Sequence, residues 1–419
     1  MIPMKKLIIL LSLLTCITCN AAHPVVVKPG VEVLRERGFE GLVGKKVGLV
    51  TNPSGVDRNL ISTIDILYSA PGVELVALYG PEHGVRGDMY AGDKVNNSTD
   101  AVTGLPVYSI YGATRKPTPE MLEGIDVMVY DIQDVGARSY TFISSLGLVM
   151  EACAEKGIEV MVLDRPNPLG GEKIEGCYVE QPFNSFVSQY RIPYIYGLTV
   201  GELARLINEE GLNRGQRGNQ ESVKCKLSVV PMSGWKRNMT YEDTKLPWVL
   251  PSPNIPFKES PMYYASSGIC GELYGFLNIG VGYTLPFQVF AAPWLDPEKL
   301  KERLESYDLP GVSFRTIWFK PFSGNLKGQL IGGLQFFFTE YEKVRLTEIQ
   351  FMVMQAIAEL YPDKKPFEIV SGIGLFDKVC GTDSVRTEFM KNYRFDDIKD
   401  IWRKDEADFR KLSRKYYMY

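Results

Sequence analysis

A carboxylate, an imidazole and a guanidinium lie together in the segment PEHGVRGD, directly after the apolar run VELVALYG. They belong to Glu82, His83 and Arg86, and the only other histidine of the chain is His23. A charged group that follows a buried strand needs a partner or a function, because burial of an unpaired charge is costly. A carboxyl group at such a place can transfer protons as a general acid or base. Glu82 is therefore the first candidate for chemistry, with His83 beside it.

Three further apolar runs also end in polar side chains. These side chains are Asn52 and Ser54 after the first run, Asp131, Gln133 and Asp134 after the next, and Asp164, Arg165 and Asn167 after the last. The carboxyl ends of parallel strands meet at one edge of a sheet, where ligands bind. Caps and turns explain Asn52, Ser54 and Asn167 equally well. That explanation is weaker for Asp131 and Arg165, which carry charges.

The pattern of the chain up to about residue 230 predicts the sheet that would bring these ends together. Near-continuous apolar runs alternate with amphipathic segments, as in parallel strands covered by helices on both faces. Thr199 and Glu202 have the spacing of a capping box, which predicts that a helix begins there. We expect an α/β fold with a doubly wound parallel sheet in residues 23–230. A second, smaller α/β domain is expected in residues 231–419.

The N-terminus, MIPMKKLIILLSLLTCITCNAAHP, has the pattern of a secretory signal, with Lys5 and Lys6 before an apolar run and small residues after it. A transmembrane anchor would need about 20 apolar residues, and threonine and cysteine interrupt this run earlier. We predict a signal peptide in residues 1–22. The protein is then exported, and is periplasmic or is held to the cell envelope by a lipid on Cys16 or Cys19.

Charge and cysteine content argue against several classes of protein. The 47 basic and 50 acidic residues give a net charge of −3, which predicts no attraction to nucleic acid and no membrane contact apart from a lipid anchor. The cysteines after the signal form no C-x-x-C pair, and with one histidine beside them a zinc site is not expected. We predict no metal and buried thiols at Cys153, Cys177, Cys225, Cys270 and Cys380.

Motifs for nucleotides and for serine hydrolysis are missing from the sequence. The turn TNPSGVDR lacks the G-x-G-x-x-G spacing, SGIGLFD lacks its third glycine, and neither a Walker GK[ST] nor a G-x-S-x-G elbow occurs. We therefore predict no cofactor. What remains is carboxylates and aromatic side chains, and glycoside hydrolysis needs one carboxyl as acid and often a second as base or nucleophile. Tyr140 is one of several tyrosines in these segments that could stack on a sugar or pack in the core.

Six motifs follow one another along the chain, and they are PEHGVRGDMYAGDKV, TGLPVYSIYG, DIQDVGARSYTFISSL, VLDRPNPLGG, LTVGELA and WVLPSPNIP. Taken together and in this order, they resemble the NamZ family of exo-acting β-N-acetylmuramidases. The resemblance spans nearly the whole chain after the signal. It implies a Rossmann-like domain and a smaller C-terminal domain that closes the active cleft. It also implies the release of N-acetylmuramic acid from the non-reducing end of peptidoglycan fragments, as in cell-wall recycling.

The resemblance implies that Glu82 is the catalytic glutamate, and we predict that it is the general acid. His83 and Asp131 are the other catalytic candidates. The candidate substrate-binding residues are Asn52, Ser54, Arg86, Asp134, Arg138, Tyr140, Asp164, Arg165, Asn167 and Glu272. Because a guanidinium can grip a carboxylate through two hydrogen bonds, Arg165, Arg86 and Arg138 are candidates for the lactyl carboxylate of muramic acid.

Two neighbours of Glu82 would change its chemistry if they lay against it. A cation would favour the ionised form of a carboxyl. We therefore expect Arg86 to point toward Asp88 or the substrate. We expect His83 to be neutral and to bond to backbone or to Asp131. The alternative is a structural ion pair between Glu82 and Arg86.

Two segments depart from the family pattern. RIPYIYGLT has Ile195 and Tyr196 where members commonly have Arg-His, and GICGELYGFLNIGVGYTLPF keeps only Glu272, Asn278 and Gly282 of a polar segment. Polar groups there have become apolar, which leaves open a second class of function. In this alternative the protein binds a cell-wall glycan or muropeptide without cleaving it. The intact PEHGVRGD and DIQDVGAR favour the enzyme.

Overall fold

The computed structural model describes residues 26–87, 98–211, 223–370 and 372–419. The predicted signal peptide of residues 1–22 lies outside these ranges. In the part of the chain that is described, no helix is long and apolar enough to cross a bilayer.

Seven strands form one mostly parallel sheet, with β1 (Lys46–Thr51) at its centre. The others are β2 (Glu74–Gly80), β3 (Ser98–Thr99), β4 (Pro106–Ser109), β5 (Val127–Asp131), β6 (Glu159–Leu163) and β7 (Leu227–Val230). Their order is β3-β4-β2-β1-β5-β6-β7, and only the β3–β4 pair is antiparallel. The chain thus builds outward from β1 through β2 and β4, then returns to β5 and builds outward on the other side.

Helices cover both faces of this sheet. They are α1 (Gly30–Glu36), α2 (Thr63–Tyr68), α3 (Phe142–Lys156) and α4 (Val200–Glu210). Apolar residues of α1 and α2 share one core with Val47 and Leu49 of β1, whereas α3 and α4 share another with Val50 of the same strand. Successive residues of a strand point to opposite faces, so β1 is buried on both sides. The prediction of a Rossmann-like, doubly wound α/β sheet is confirmed.

The capping box at the start of α4 is also confirmed. The Thr199 hydroxyl accepts from the Glu202 backbone N–H, and the Glu202 carboxylate accepts from the Thr199 backbone N–H. Two backbone donors that the first turn leaves without helical partners are thereby satisfied. Arg237 adds two hydrogen bonds of 2.8 Å to the same carboxylate, so the buried charge is paired.

The second unit is smaller and rich in helices. Its antiparallel sheet has the order β8-β10-β9, with β8 (Val289–Ala292), β9 (Val312–Phe319) and β10 (Ile331–Phe338). The helices are α5 (Ser260–Gly271), α6 (Pro297–Glu305), α7 (Glu348–Leu360), α8 (Ile373–Cys380), α9 (Ser384–Asn392), α10 (Phe395–Arg403) and α11 (Glu406–Ser413). Residues of both the sheet and these helices share one apolar core. The predicted division of the domains at residue 230 stays a prediction.

The cysteines that follow the predicted signal contribute to these cores. All five are free and buried, as predicted, and they are Cys153, Cys177, Cys225, Cys270 and Cys380. Burial raises the pKa of the Cys177 thiol to about 11. The thiolate is the reactive form of cysteine, so Cys177 is a packing residue in this fold.

Candidate active site

The carboxyl ends of β1 and β5 lie side by side where the direction of sheet building reverses. In doubly wound sheets this switch point is where a crevice opens and ligands bind. The Asn52 side chain accepts from the Ser54 backbone N–H at 3.0 Å, and the Ser54 hydroxyl accepts from the Gln133 backbone N–H at 2.9 Å. The Asn52 amide also donates to the Pro251 carbonyl at 3.1 Å. Asn52 and Ser54 therefore use their polar atoms to join the loop after β1 to the loop after β5 and to the segment around Pro251.

Glu82 lies two residues beyond β2 at the same edge. The Tyr111 hydroxyl donates to its Oε1 at 2.8 Å, and the Thr141 hydroxyl donates to its Oε2 at 3.2 Å. The Glu82 side chain is partly exposed, and no cation of the described residues lies within 4 Å of its carboxylate. Burial and the charge of Glu82 raise the pKa of Tyr111, which keeps that hydroxyl a neutral donor. Glu82 is thus a carboxyl that solvent can reach and that neutral groups hold in place.

The backbone around Glu82 makes an unusually tight turn. His83 has φ 76°, and Gly84 and Gly87 have φ 76° and 79°. Non-glycine residues rarely adopt this left-handed conformation, and such strain is concentrated at functional sites. The turn brings Gly80 against Gly84, since a Cβ on Gly80 would lie 3.3 Å from the Gly84 Cα. The His83 side chain is buried under this turn, and its catalytic role stays a prediction.

Arg86 turns away from Glu82 and holds the loop. Its Nε and Nη2 atoms donate to the two carboxylate oxygens of Asp100 at 2.8 and 3.0 Å, and Asp65 lies 3.5 Å away. The hydrogen bonds from Arg86 hold the pKa of Asp100 well below its usual range. The expected ion pair of Arg86 with Asp88 falls outside the described residues. Arg86 and Glu82 do not form the ion pair that was the alternative, because the carboxylate partners of Arg86 are Asp100 and Asp65.

Asp131 and Arg165 form a buried ion pair across β5 and β6. Arg165 Nε and Nη2 donate to the two carboxylate oxygens at 2.5 and 2.9 Å, and Nη2 also donates to the Val56 carbonyl at 2.8 Å. The Thr63 hydroxyl donates to Asp131 as well. Burial alone would lower the pKa of Arg165, but the charge and hydrogen bonds of Asp131 raise it. The pair gives both residues a structural role, and the catalytic role of Asp131 and the substrate-binding role of Arg165 stay predictions.

Asp164 is saturated with hydrogen bonds. Its carboxylate accepts from the backbone N–H groups of Arg165 and Gly201 at 3.0 and 2.7 Å, and from the hydroxyls of Thr199 and Tyr419 at 2.7 Å each. Burial raises its pKa to about 6. This carboxylate is fully buried and has four donors within the protein, and its role in substrate binding stays a prediction. Asp164 instead joins β6, the start of α4 and the C-terminal residues.

Asn167 is a turn residue. Its amide donates to the Leu198 carbonyl at 2.9 Å, and its side-chain oxygen accepts from the Leu169 backbone N–H at 2.9 Å. It also lies close to Gly136, where a Cβ would be 2.3 Å from the Asn167 oxygen. The structure therefore favours the turn explanation that the sequence had left open for Asn167.

Arg138 connects the two domains. It is completely buried, and its guanidinium donates to four backbone carbonyls. Nη1 reaches Cys177 and Ile192 at 2.8 and 2.5 Å, and Nη2 reaches Val379 and Cys380 at 2.9 and 2.8 Å. The guanidinium therefore has its partners within the protein, and its role as a substrate contact stays a prediction. Arg138 thus supplies a hydrogen-bond donor to carbonyl oxygens that are buried, and buried polar atoms need such partners.

Tyr140 packs against the apolar cores of both domains. Its side chain is partly exposed, and its ring meets the ring of Tyr264 edge-on at a centroid distance of 5.2 Å. Burial raises the pKa of Tyr140, a hydrogen bond to Ser252 opposes this, and the charges of Glu82 and Asp134 add to the rise. The Tyr140 hydroxyl is therefore a neutral group within electrostatic range of both carboxyls.

Asp134 is buried below this surface. Its Oδ2 accepts from the Gly136 backbone N–H at 2.8 Å and from the Tyr196 hydroxyl, whereas its Oδ1 accepts no hydrogen bond from the described residues. Burial raises its pKa to about 6. Tyr196 is one of the two residues at which the sequence departs from the family pattern. The departure therefore supplies a hydroxyl partner for Asp134.

Glu272 follows α5 on the side of the second domain. It is partly exposed, and among the described residues none donates a hydrogen bond to it. Burial raises its pKa to about 7. Its charge contributes to raising the pKa of Tyr194 and Tyr264, after the larger effect of burial on each. The predicted role of Glu272 in substrate binding stays a prediction.

The contacts of the Tyr111 and Thr141 hydroxyls with Glu82 were not predicted from the sequence. Tyr111 comes two residues after β4, and Thr141 directly precedes α3. Both lie in motifs that carried the family resemblance, TGLPVYSIYG and DIQDVGARSYTFISSL. Their position at strand and helix ends on the same edge is the signal that could have identified them.

Comparison with known proteins agrees with this architecture. Two solved DUF1343 family proteins of Bacteroides fragilis NCTC 9343 have the same fold. One is 53% identical with a TM-score of 0.88, and the other is 26% identical with a TM-score of 0.72. In each case the match covers 94% of this chain and 99% of the other.

A curated relative and two family models extend the likeness to proteins of named activity. The peptidoglycan beta-N-acetylmuramidase NamZ of Bacillus subtilis (strain 168) is 43% identical over 393 residues, which are 94% of this chain and 91% of that protein. The models of the N-terminal and C-terminal domains of exo-beta-N-acetylmuramidase NamZ match residues 47–259 and 262–419. The chain therefore belongs to the NamZ family of exo-β-N-acetylmuramidases.

Proposed function

We propose that this protein is a glycosidase that releases N-acetylmuramic acid from the non-reducing end of peptidoglycan fragments. The curated relative that is 43% identical along nearly the whole chain bears the name of this activity. The observation that carries the proposal is Glu82 itself, a reachable carboxyl that follows β2 at the same edge of the sheet as the switch point. Tyr111 and Thr141 hold its two oxygens without adding a charge.

In this proposal Glu82 is the general acid. A glycosidic oxygen leaves as a hydroxyl only when it receives a proton, and a positioned carboxyl group supplies that proton. The hydroxyls of Tyr111 and Thr141 fix the orientation of the carboxyl group. Arg86 is held by Asp100, so no guanidinium competes for Glu82. The partners of Glu82 thus suit a group that gives and takes a proton.

We further propose that the protein is exported and works in cell-wall recycling, in the periplasm or anchored to the envelope by a lipid. The sequence of residues 1–22 supports this. N-terminal sequencing of native protein tests it, because export predicts a processed N-terminus. A retained Met1 on cytoplasmic protein would contradict export, and an acylated Cys16 or Cys19 would identify a lipoprotein.

The enzymatic proposal is tested by incubating the mature protein with the disaccharide MurNAc-GlcNAc. We expect free MurNAc and free GlcNAc in equal amounts. An aryl β-muramide should also be cleaved, and the corresponding aryl N-acetylglucosaminide should be cleaved far more slowly. If calorimetry detects binding of the disaccharide but no MurNAc is released, the result would instead support the second hypothesis, a binding protein without catalytic activity. The specific observation that favours this hypothesis is the apolar character of the segment around Glu272.

A further inference from the structure

Muramic acid differs from glucosamine by a lactyl group on C3, and this group carries a carboxylate. Selection of muramic acid by this group calls for a guanidinium near Glu82, because a guanidinium can grip a carboxylate through two hydrogen bonds. The three arginines named from the sequence already have partners within the protein. Arg86 and Arg165 each grip a carboxylate, and Arg138 donates to four buried carbonyls. To bind a substrate, each would first have to release a partner.

Arg115 is an arginine of the same sheet edge that has no such partner. It lies on the loop after β4, which runs parallel to β2, and its side chain is exposed. No carboxylate of the described residues lies within 4 Å of its guanidinium, and Asp88 and Asp93 fall outside those residues. The guanidinium lies over the ring of Phe186, 4.3 Å from its centroid. A guanidinium stacked by its face keeps the N–H groups of its edge available for a ligand.

Two contacts place this stacked pair beside Glu82. The ring of Phe186 lies 6.5 Å from the ring of Tyr111, whose hydroxyl donates to Glu82 at 2.8 Å. The Phe186 carbonyl accepts from the Ser144 hydroxyl at 2.7 Å. Ser144 is three residues after Thr141, which also donates to Glu82, and residues three apart are neighbours on the surface of a helix. The ring under the guanidinium is therefore next to the hydroxyls that hold the carboxyl of Glu82.

The charges in this region agree with that placement. Burial, and then the charge and hydrogen bond of Glu82, raise the pKa of Tyr111, and the charge of Arg115 opposes this rise. Exposed charges act over about 10 Å in salt solution. Arg115 is thus close enough to act on the phenol that holds Glu82, yet it does not pair with Glu82 itself.

Both halves of the stacked pair are anchored to the rest of the fold. Lys116, which follows Arg115, donates to two glutamates of α3 at 2.6 and 2.7 Å. Phe186 lies in a turn in which the backbones of Ser185 and Ser188 exchange hydrogen bonds of 3.3 and 3.0 Å. A binding group that is held in place before the ligand arrives loses less entropy on binding.

We propose that Arg115 binds the lactyl carboxylate of the muramic acid residue on which Glu82 acts, with Phe186 as the platform that orients the guanidinium. This inference rests on the proposed function, since it takes a muramic acid residue to be the sugar beside Glu82. The lactyl group is on C3, which is two ring atoms from the anomeric carbon. A guanidinium near Glu82 but not paired with it holds that carboxylate and leaves Glu82 able to take a proton. Arg115 then sets specificity and takes no part in bond breaking.

The first test is calorimetric binding in a Glu82→Gln background, with MurNAc-GlcNAc and with the same disaccharide whose lactyl carboxylate is an uncharged methylamide. We expect the acid to bind more tightly than the amide. Adding Arg115→Ala should weaken binding of the acid by ~10- to 10²-fold and change binding of the amide by less than about 3-fold, since one charged partner is lost. Added salt should weaken binding of the acid alone. Arg37→Ala, at another exposed arginine, is the matched control and should change neither.

The second test is kinetic and uses Glu82 intact. In Arg115→Ala, kcat/KM for an aryl β-muramide should fall by ~10- to 10²-fold through KM, with kcat and Tm nearly unchanged, since the lost contact is made before and during the reaction alike. Arg115→Lys keeps the charge but not the paired donors, so it should recover part of the loss. Phe186→Leu should raise KM for the acid by about 2- to 5-fold, because it removes the platform.

Three results decide between the inference and its alternatives. Equal losses for acid and amide in Arg115→Ala would show that Arg115 orders its loop or pairs with Asp88 or Asp93, and would overturn the inference. Unchanged binding of the acid would overturn it as well. Neither result touches the glycosidase proposal, which fails if the parent protein releases no MurNAc. Selective loss of acid binding in a parent protein that cleaves nothing would keep Arg115 as the carboxylate contact of a binding protein.

Discussion

Replacing Arg165 by alanine should destabilise the protein by several kcal/mol. The side chains of Arg165 and Asp131 are 5% and 1% exposed, and two hydrogen bonds of 2.5 and 2.9 Å join them. Removing one partner of a buried pair leaves the other charge uncompensated, which typically costs about 3–5 kcal/mol. The variant also leaves the Val56 carbonyl without its donor at 2.8 Å. We therefore expect a loss at the upper end of this range.

Chemical denaturation followed by tryptophan fluorescence measures this loss, since the chain has five tryptophans. Lys224→Ala is the matched control, because Lys224 and Glu209 form an ion pair in which both side chains are more than half exposed. Such surface pairs contribute about 0–1 kcal/mol. A change below about 1 kcal/mol in Arg165→Ala, together with weaker binding of MurNAc but not of GlcNAc, would refute the structural role. That result would instead support Arg165 as the residue that binds the lactyl carboxylate of muramic acid.

Two further predictions concern hydroxyls and pH. Tyr111→Phe removes one of the two donors to Glu82, so kcat/KM for an aryl muramide should fall by about 10-fold with little change in Tm; an unchanged kcat/KM would show that Tyr111 does not orient Glu82. Asp164 has its pKa raised from 3.8 to about 6 by burial, so the folded state holds this proton more tightly than the unfolded state. The tighter binding of this proton stabilises the folded state by about 3 kcal/mol at most. This stabilisation is fully present below about pH 4 and is lost as the pH rises through about 6. Denaturation midpoints between pH 4 and 7 should fall less steeply in Asp164→Asn than in the parent protein, and parallel curves would contradict the shift.

The sequence predicted the fold because its signals are local and periodic. Near-continuous apolar runs marked the strands, and the spacing of Thr199 and Glu202 marked the start of α4. The polar residues at strand ends were correctly predicted to gather at one edge, since parallel strands impose that geometry. Their positions followed from the pattern, but their roles depended on partners that the pattern does not specify.

Those partners are distant in the chain. Arg165 pairs with Asp131, 34 residues away, because β5 and β6 are neighbours in the sheet. Arg138 binds carbonyls 241 and 242 residues further on, at the end of α8. No periodicity relates such positions, so the sequence could not show that Arg138 and Arg165 have buried partners within the protein. The same limit hid Tyr111 and Thr141, which approach Glu82 from separate segments.

The most direct test of the central claim is the activity of Glu82→Gln. Glutamine keeps the shape of the side chain. Its oxygen can still accept from one of the hydroxyls of Tyr111 and Thr141, and its amide N–H group can donate to the other, but it cannot act as a catalytic acid. We expect turnover of MurNAc-GlcNAc to fall by ~10²-fold or more, with sugar binding and Tm close to those of the parent. Glu123→Gln, at an exposed glutamate, is the control and should be fully active. Near-normal turnover in Glu82→Gln would contradict the assignment of Glu82 as the acid.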